Sequence, residues 1–393
     1  LELDKSKIVI LALSKWDGEY SSTTFSLAKA FSEKKEVIYI DKPVTWKDYL
    51  LSVSKKKKPG AIKNKFFSYT LEYLNDNLII FYPPATIPIN FLPKNFLYKK
   101  LKRINEKILF NSLNKCLEKL NWEKFIYLNI FNPFFDHTNH IQPILSIYYT
   151  VDNISESAYV KKHGVWLEPD LMKKADVNLA TSLMLKKAGE KYSKKIYHLP
   201  NAADLQIFNF DNNYDNPKEL ENISTEIITF VGHLDMRTDI EILKTVLSNH
   251  KDKTLLIIGP ISLPKEIIQD LRHYKNILFV GAQPIERIPS FLKYSSCTII
   301  PFKCNELTKG IYPLKINEYL AMGLPVVSTY FSEDITNFEH SISLAENPEQ
   351  FSNLIDWEIS NNTSTKISQR IKIAKENTWP KRVSQFWEIL KEQ

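Results

Sequence analysis

The residues best suited to chemistry lie in one stretch, PLKINEYLAMGLPVVST, residues 313–329. The stretch is written for burial, yet it carries a carboxylate, Glu318. Lys315, Tyr319 and Met322 recur at spacings of three and four residues, the period of one helix face. Pro313 stands where a helix start tolerates proline, and Gly323 stops the helix ahead of the strand VVST. That helix would begin on the carboxyl side of the strand CTIIPF (297–302), so its first N–H groups and positive dipole end would face an anion there. A carboxylate one turn further in would repel phosphate. Glu318 therefore suits another part of the same ligand, and one carboxylate can hold two neighbouring sugar hydroxyls.

Other candidates surround this one. Three apolar runs in the second half end in glycine, at Gly232, Gly259 and Gly281, where the backbone can turn sharply or approach a ligand. The first continues as HLDMRTD and offers Arg237, whose guanidinium fork matches a phosphate. In the first half, YYTVDNIS (148–155) places Asp152 at a strand end, able to orient a hydroxyl or take its proton. The plainer alternative is an aspartate capping the next helix. His137 and His140 sit in NPFFDHTNH (132–140) and read as ordinary loop histidines. No D-x-D tripeptide and no Cys/His cluster with ligand spacing is present, so no metal site is expected. Cys116, Cys297 and Cys304 form no CxxC pair and read as buried, reduced thiols of a cytoplasmic protein.

The elements that must position these residues alternate along the chain. Short β-branched and aromatic runs begin near residues 7, 36, 77, 124, 146, 176 and 196, then 226, 254, 276, 297 and 325, with helix-patterned segments between them. Most runs are continuously apolar, as in strands buried on both faces of a parallel sheet. The expected fold class is α/β, two doubly wound domains of similar size. The polar stretch 209–224 reads as an exposed connection. Ligands in such sheets bind outside the carboxyl ends of the strands, which predicts a cleft between the two domains.

At Lys309–Thr329 the chain resembles family 4 of the glycosyltransferases, which have the GT-B fold, and in particular members of bacterial cell-surface polysaccharide synthesis. The resemblance implies an N-terminal acceptor domain (1–204), a C-terminal donor domain (205–377) and a last helix (378–393) crossing back. It implies that Glu318 holds the donor ribose and that the amides of Leu314 and Lys315 meet the donor diphosphate. Arg237, in the loop opened by Gly232, would contact phosphate, while Gly281, Ala282 and Gln283 would hold the base. Gly18, in LSKWDGEYSS (13–22), matches a glycine loop near the phosphates. Asp152 matches a catalytic-site histidine. PNAADLQIF (200–208) matches the hinge, with Ala202 in place of glycine. A further phosphate-binding lysine of the family is not matched, since Lys244 falls inside its helix. One departure is chemical: the first of two family glutamates, expected near the donor sugar, is Gly310. The implied reaction is transfer from a nucleotide-diphosphate-sugar, a UDP-sugar by family frequency, with retention and without metal.

Charge divides the chain. Residues 1–200 hold 32 Lys/Arg and 20 Asp/Glu, and residues 201–393 hold 20 and 25. Residues 51–103 alone carry eleven cations and two anions, with Lys55–Lys58 next to Trp46, Tyr49, Phe66 and Phe67. Cations interleaved with aromatics suit an anionic membrane surface, so residues 44–103 are expected to dock peripherally on the inner face of the cell membrane. No nucleic-acid motif accompanies them, and no apolar run is long enough to span a bilayer. Two alternatives share the fold: a sugar-nucleotide epimerase, and an inactive relative kept for binding.

Overall fold

A computed structural model describes residues 6–16, 23–54, 63–156 and 160–392. Gly18 and Lys55–Lys58 lie outside the described residues. The chain divides into two compact units, Leu1–Leu199 with Val383–Gln393, and Pro200–Arg382.

The first unit runs β1 (Lys7–Ala12), α1 (Thr23–Ser32), β2 (Val37–Ile40), α2 (Trp46–Ser54), β3 (Thr70–Asn75), β4 (Leu78–Tyr82), α3 (Phe96–Lys119), β5 (Phe125–Ile130), β6 (Leu145–Thr150), α4 (Lys161–Lys174), β7 (Val177–Ala180), α5 (Leu183–Gly189) and β8 (Ile196–His198). Its sheet has the order β3-β4-β2-β1-β5-β6-β7-β8. All neighbours are parallel except β3, an antiparallel edge. The apolar runs of β1, β2, β4, β5 and β6 are buried along nearly their whole length, as strands covered on both faces must be. The long helix α3 starts at Asn95, whose side chain accepts from the Tyr98 N–H at 2.9 Å.

The second unit runs β9 (Glu226–Val231), α6 (Ile240–Asn249), β10 (Lys253–Ile258), α7 (Lys265–Arg272), β11 (Ile277–Gly281), α8 (Ile288–Lys293), β12 (Cys297–Ile300), α9 (Glu306–Lys309), α10 (Leu314–Ala321), β13 (Val326–Thr329), β14 (Ser343–Ala345), α11 (Pro348–Ser360) and α12 (Ser364–Glu376). Its parallel sheet has the order β11-β10-β9-β12-β13-β14. The chain moves outward from β9 through β10 to β11, then returns to the other side of β9 as β12. The gap between the β9 and β12 loops is thus a switch point, where an α/β sheet opens a crevice for ligand. Helix α10 buries Ile316, Tyr319 and Leu320 against this sheet. Each such side chain stabilises the packing by about 1.5–3 kcal/mol. Arg370 of α12 and Glu358 of α11, both buried, lock the far side with a 2.7 Å ion pair.

The last helix, α13 (Trp379–Lys391), begins in the second unit, and from Val383 on its residues belong to the first. Within the first unit Phe386 packs edge-on against Phe31 at 4.8 Å.

Two expectations are corrected. The stretch 209–224 is exposed at most positions, as expected, but it is no linker between the units, since it lies within the second. Phe208 just before it and Leu220 within it are buried in the core of the second unit, and the Tyr214 carbonyl accepts from the Tyr294 hydroxyl at 3.2 Å. Two large apolar anchors suffice to fold down a polar segment. Of the three thiols, Cys116 and Cys297 are buried but Cys304 is exposed, because it follows β12 into the loop before α9.

Candidate functional site at the carboxyl edge of the second sheet

The local sequence after β12 builds two helix starts in succession. Asn305 caps α9, its Oδ1 accepting from the N–H groups of Leu307 and Thr308 at 3.1 Å, while the Thr308 hydroxyl accepts from the Asn305 N–H at 3.1 Å. This is a reciprocal capping box. Gly310 then ends α9 at φ −80°, a conformation open to any residue. Pro313 precedes α10, where its missing N–H costs nothing. The Leu314 N–H does not point free, as a helix start would predict. It turns back onto the Tyr312 carbonyl at 2.8 Å, and the Ile316 N–H bonds the Pro313 carbonyl at 3.0 Å.

Glu318 is buried in the middle of α10. Its Oε2 lies 2.8 Å from the Nζ of Lys315, which is one-third exposed. The ammonium thus reaches from solvent and neutralises a carboxylate that burial alone would penalise. The next residue, Tyr319, sets the depth of the helix. Its hydroxyl accepts the N–H of Val231, the last residue of β9, at 3.0 Å. The ring is fully buried, and burial pushes its phenol far above the ordinary range. The level of Glu318 is therefore fixed to the carboxyl end of β9.

The β9 loop is zipped to the β12 loop: Asp239 N–H donates to Pro301 at 2.8 Å, and Lys303 N–H to Arg237 at 2.8 Å. Arg237 folds onto Asp235. Its Nε donates to both carboxylate oxygens at 2.9 and 3.0 Å, and one Nη donates at 2.7 Å. The other Nη has no protein partner among the described residues. The Phe302 ring lies 5.8 Å from the guanidinium carbon. Burial works to raise the Asp235 carboxyl, but its bonds to Arg237 outweigh that and hold it below the ordinary carboxylate value. Asp235 was not visible as a site residue in the sequence, although the spacing Asp-x-Arg in one loop is the signal that could have found it. The Thr238 hydroxyl and the Asn317 amide oxygen are also buried here, with no hydrogen-bond partner among the described residues.

The three glycines form one rim. Gly232 N–H donates to Ile258 at 2.9 Å and Gly259 N–H to Gly281 at 2.8 Å. A Cβ on Gly259 would stand 1.9 Å from the Gly232 carbonyl oxygen, so no other residue fits. Ala282 is exposed beyond the rim. The Gln283 side chain is engaged, donating to the Val280 carbonyl at 3.3 Å and accepting from Arg287 at 2.5 Å. Lys244 sits inside α6 and pairs with Asp270 at 2.7 Å, away from the loops. The structure thus brings Gly232, Arg237, Gly281, Ala282, Gln283, Leu314, Lys315 and Glu318 to one edge of one sheet. Among the described residues no group of three His, Cys, Asp or Glu side chains could hold a metal ion.

Asp152 belongs to the other unit, exposed on the bend after β6. It does not cap α4, whose N-cap is Val160, and Asn153 shapes the turn instead by accepting from Ser155. Nearby lies a group that the sequence did not reveal. Glu168 of α4 is buried and accepts from the Tyr148 hydroxyl at 3.0 Å. Burial pushes its carboxyl up to about 7. His137 is buried against the Tyr127 ring at 4.7 Å, with its pKa lowered by that burial, and His140 stacks on Phe110 at 5.3 Å. His137 thus packs into the first unit, while His140 also lines a surface cavity.

The chain is similar to several known proteins. Residues 225–361 match the family model "Glycosyl transferases group 1". TuaH of Bacillus subtilis (strain 168), provisionally named a teichuronic acid biosynthesis glycosyltransferase, is 23% identical over 137 residues, 35% of this chain and 34% of that protein. The match thus spans about a third of the length of this relative. Among solved structures, sucrose-phosphate synthase from Thermosynechococcus elongatus superposes with a TM-score of 0.70 at 13% identity, over 98% of each chain. Anabaena HepE, solved in complex with UDP and glucose, gives 0.63 at 12% identity over 99% of this chain and 100% of that one. The fold is that of the GT-B glycosyltransferases.

Proposed function

We propose that this GT-B glycosyltransferase, whose residues 225–361 belong to the group 1 family, moves a sugar from a nucleotide-diphosphate-sugar to a saccharide or lipid-linked saccharide of a cell-surface glycan. The observation that carries the reading is Glu318, a carboxylate buried in a helix yet held level with the end of β9 at a sheet switch point. Glu318 holds the two ribose hydroxyls. Lys315 screens it from the diphosphate, which would otherwise be repelled. The spare Nη of Arg237 and the amide of Lys315 take the diphosphate and stabilise it as it leaves, whereas the Leu314 amide is held by the Tyr312 carbonyl. Gly281, Ala282 and Gln283 border the base. Asp152 orients the acceptor hydroxyl. UDP is favoured as the nucleotide, by family frequency and by the ligand in the HepE structure.

Transfer is proposed to retain configuration and to proceed without metal, since cationic side chains carry the charge. Residues 44–103 are proposed to rest on an anionic membrane surface at the cytoplasmic face. No described helix is long and apolar enough to cross a membrane. The test is release of UDP from a panel of UDP-sugars, with and without saccharide acceptors and with a chelator. Acceptor-dependent release that survives the chelator supports the reading. Nucleotide binding with no turnover on any acceptor favours an inactive binding protein, and conversion of the donor sugar without acceptor favours an epimerase.

A further inference from the structure

The cavity that His140 borders, of about 700 Å³, lies in the first unit between α3, α4 and the loop after β5. Helix α4 runs from the carboxyl end of β6 toward the amino end of β7, and its last residue, Lys174, also lines the cavity. The space is therefore a groove along the helical face of the unit, not a crevice at the carboxyl edge of its sheet.

Four of its charges cancel in pairs. The Lys102 ammonium meets the buried Glu106 carboxylate, and Lys174 meets Asp136. The Asp136 N–H donates to Glu106 at 2.9 Å, so this ladder ties α3 through the loop to α4 and holds the groove in shape. Lys99, Arg103 and Lys107 are left over. All three are exposed, line the groove, and have no side-chain partner among the described residues. One unpaired acid, Asp170 on α4, stands against these three cations.

The three are also in order. Steps of four residues set them along one face of α3, about 6 Å apart and about 12 Å from first to last. Asn111, one step further, continues the row with a neutral amide. On α4, Trp166, Leu167 and Leu171 give the groove an apolar strip. A row of cations and an apolar strip in one groove match a chain that carries regular negative charge on rings with apolar faces.

We propose that this groove binds a linear acidic glycan, with Lys99, Arg103 and Lys107 meeting carboxylates along the chain and the strip on α4 taking the sugar faces. The inference rests on the transferase reading and names a substrate class for it: the glycan that the enzyme handles is acidic. A neutral glycan would leave the three cations without a counter-charge, and a single small anion would leave most of the row unused. Lys99 and Arg103 also close the stretch proposed to rest on a membrane, but a flat bilayer meets the rim of a groove and not its walls.

Calorimetric titration of the full chain at low salt tests this. Hexagalacturonate carries one carboxylate on each ring, maltohexaose carries none, and galacturonate is the single anion. Three exposed ion pairs predict that hexagalacturonate binds about tenfold more tightly than maltohexaose. Raising the salt to about 0.5 M should remove most of that advantage. Lys99→Gln, Arg103→Gln and Lys107→Gln combined should abolish it without lowering the melting temperature. Lys218→Gln, Lys265→Gln and Lys275→Gln combined remove the same charge from exposed positions of the second unit and should leave it intact. Equal binding of maltohexaose, equal binding of galacturonate, or indifference to the first triple variant would overturn the proposal. So would tighter binding of a thymidine hexanucleotide, which would make the groove a nucleic-acid site. UDP titrated into the same samples keeps the two readings apart. If UDP binds and hexagalacturonate does not, the acidic glycan fails while the donor site stands; if hexagalacturonate binds and UDP does not, the transferase reading fails and the substrate class falls with it.

Discussion

The two sheets present contrasting carboxyl edges. The second unit's edge is built from glycines and from charges that already have partners: Arg237 lies on Asp235 and Lys315 on Glu318. The first unit's edge is built from large side chains around a cavity, with exposed Leu51 and Phe91 at its mouth. A site made of paired charges discriminates by exchange: on the proposed reading, a diphosphate would compete with Asp235 for the guanidinium. A site made of apolar wall and mouth discriminates by size and burial. Both edges lie at a switch point of their sheet, but the side chains that line them differ in chemistry.

The glycine rim is the sharpest part of this contrast, and breaking it should have the largest effect. Gly259→Ala drives a Cβ into the Gly232 carbonyl, where only backbone movement gives relief. It should cost more than about 4 kcal/mol, the range reserved for severe steric or strain mechanisms. Gly281→Ala meets nothing within 4 Å and suffers only from φ +76°, so it should cost roughly 1–2 kcal/mol. Urea denaturation of the pair measures the difference, and equal midpoints would dissolve the distinction.

In the first unit the corresponding weak point is Glu168. Its folded pKa of about 7 lies above the ordinary carboxylate value of 4.5, so the native state holds a proton that the unfolded state releases. Stability from this group is therefore full below about pH 4.5 and is lost as pH rises to about 7, by up to about 3 kcal/mol. Glu168→Gln should flatten that part of the stability–pH curve while leaving UDP affinity unchanged. An unaltered slope would show that Glu168 is not the group responsible.

Smaller effects probe the charge pairing. Arg237→Met removes a phosphate donor and should weaken UDP binding about thirtyfold, the worth of a charge-assisted hydrogen bond. Asp235→Asn frees the guanidinium from its competitor and should tighten UDP binding about threefold, the scale of a partly exposed ion pair. Weaker binding in Asp235→Asn would instead make Asp235 a positioning residue for Arg237.

How much of this was legible depends on burial. Strands such as KIVILA and TLLII announce themselves because both faces are covered and polar residues are excluded. Strand β3 escaped notice because TLEYLN is an edge with an exposed end, and β14 because three residues carry no pattern. The burial of Glu318 was legible because the residues around it are apolar at helical spacing. The Asp235–Arg237 pair was not, since it depends on how one loop folds back. Neither was Glu168, since only its register against Tyr148 reveals its burial. The packing of the stretch 209–224 hid behind its own polarity, with Tyr214, Leu220 and Ile223 as the clues.

The most direct test of the central claim compares UDP with 2′-deoxy-UDP on wild type and Glu318→Gln by calorimetry. If Glu318 holds the ribose hydroxyls, wild type should prefer UDP by about tenfold or more, the scale of hydrogen bonds to a charged group. Glu318→Gln should lose most of that preference while melting at a similar temperature without ligand. A preference that persists undiminished in Glu318→Gln would contradict the assignment, and with it the donor site built around this helix.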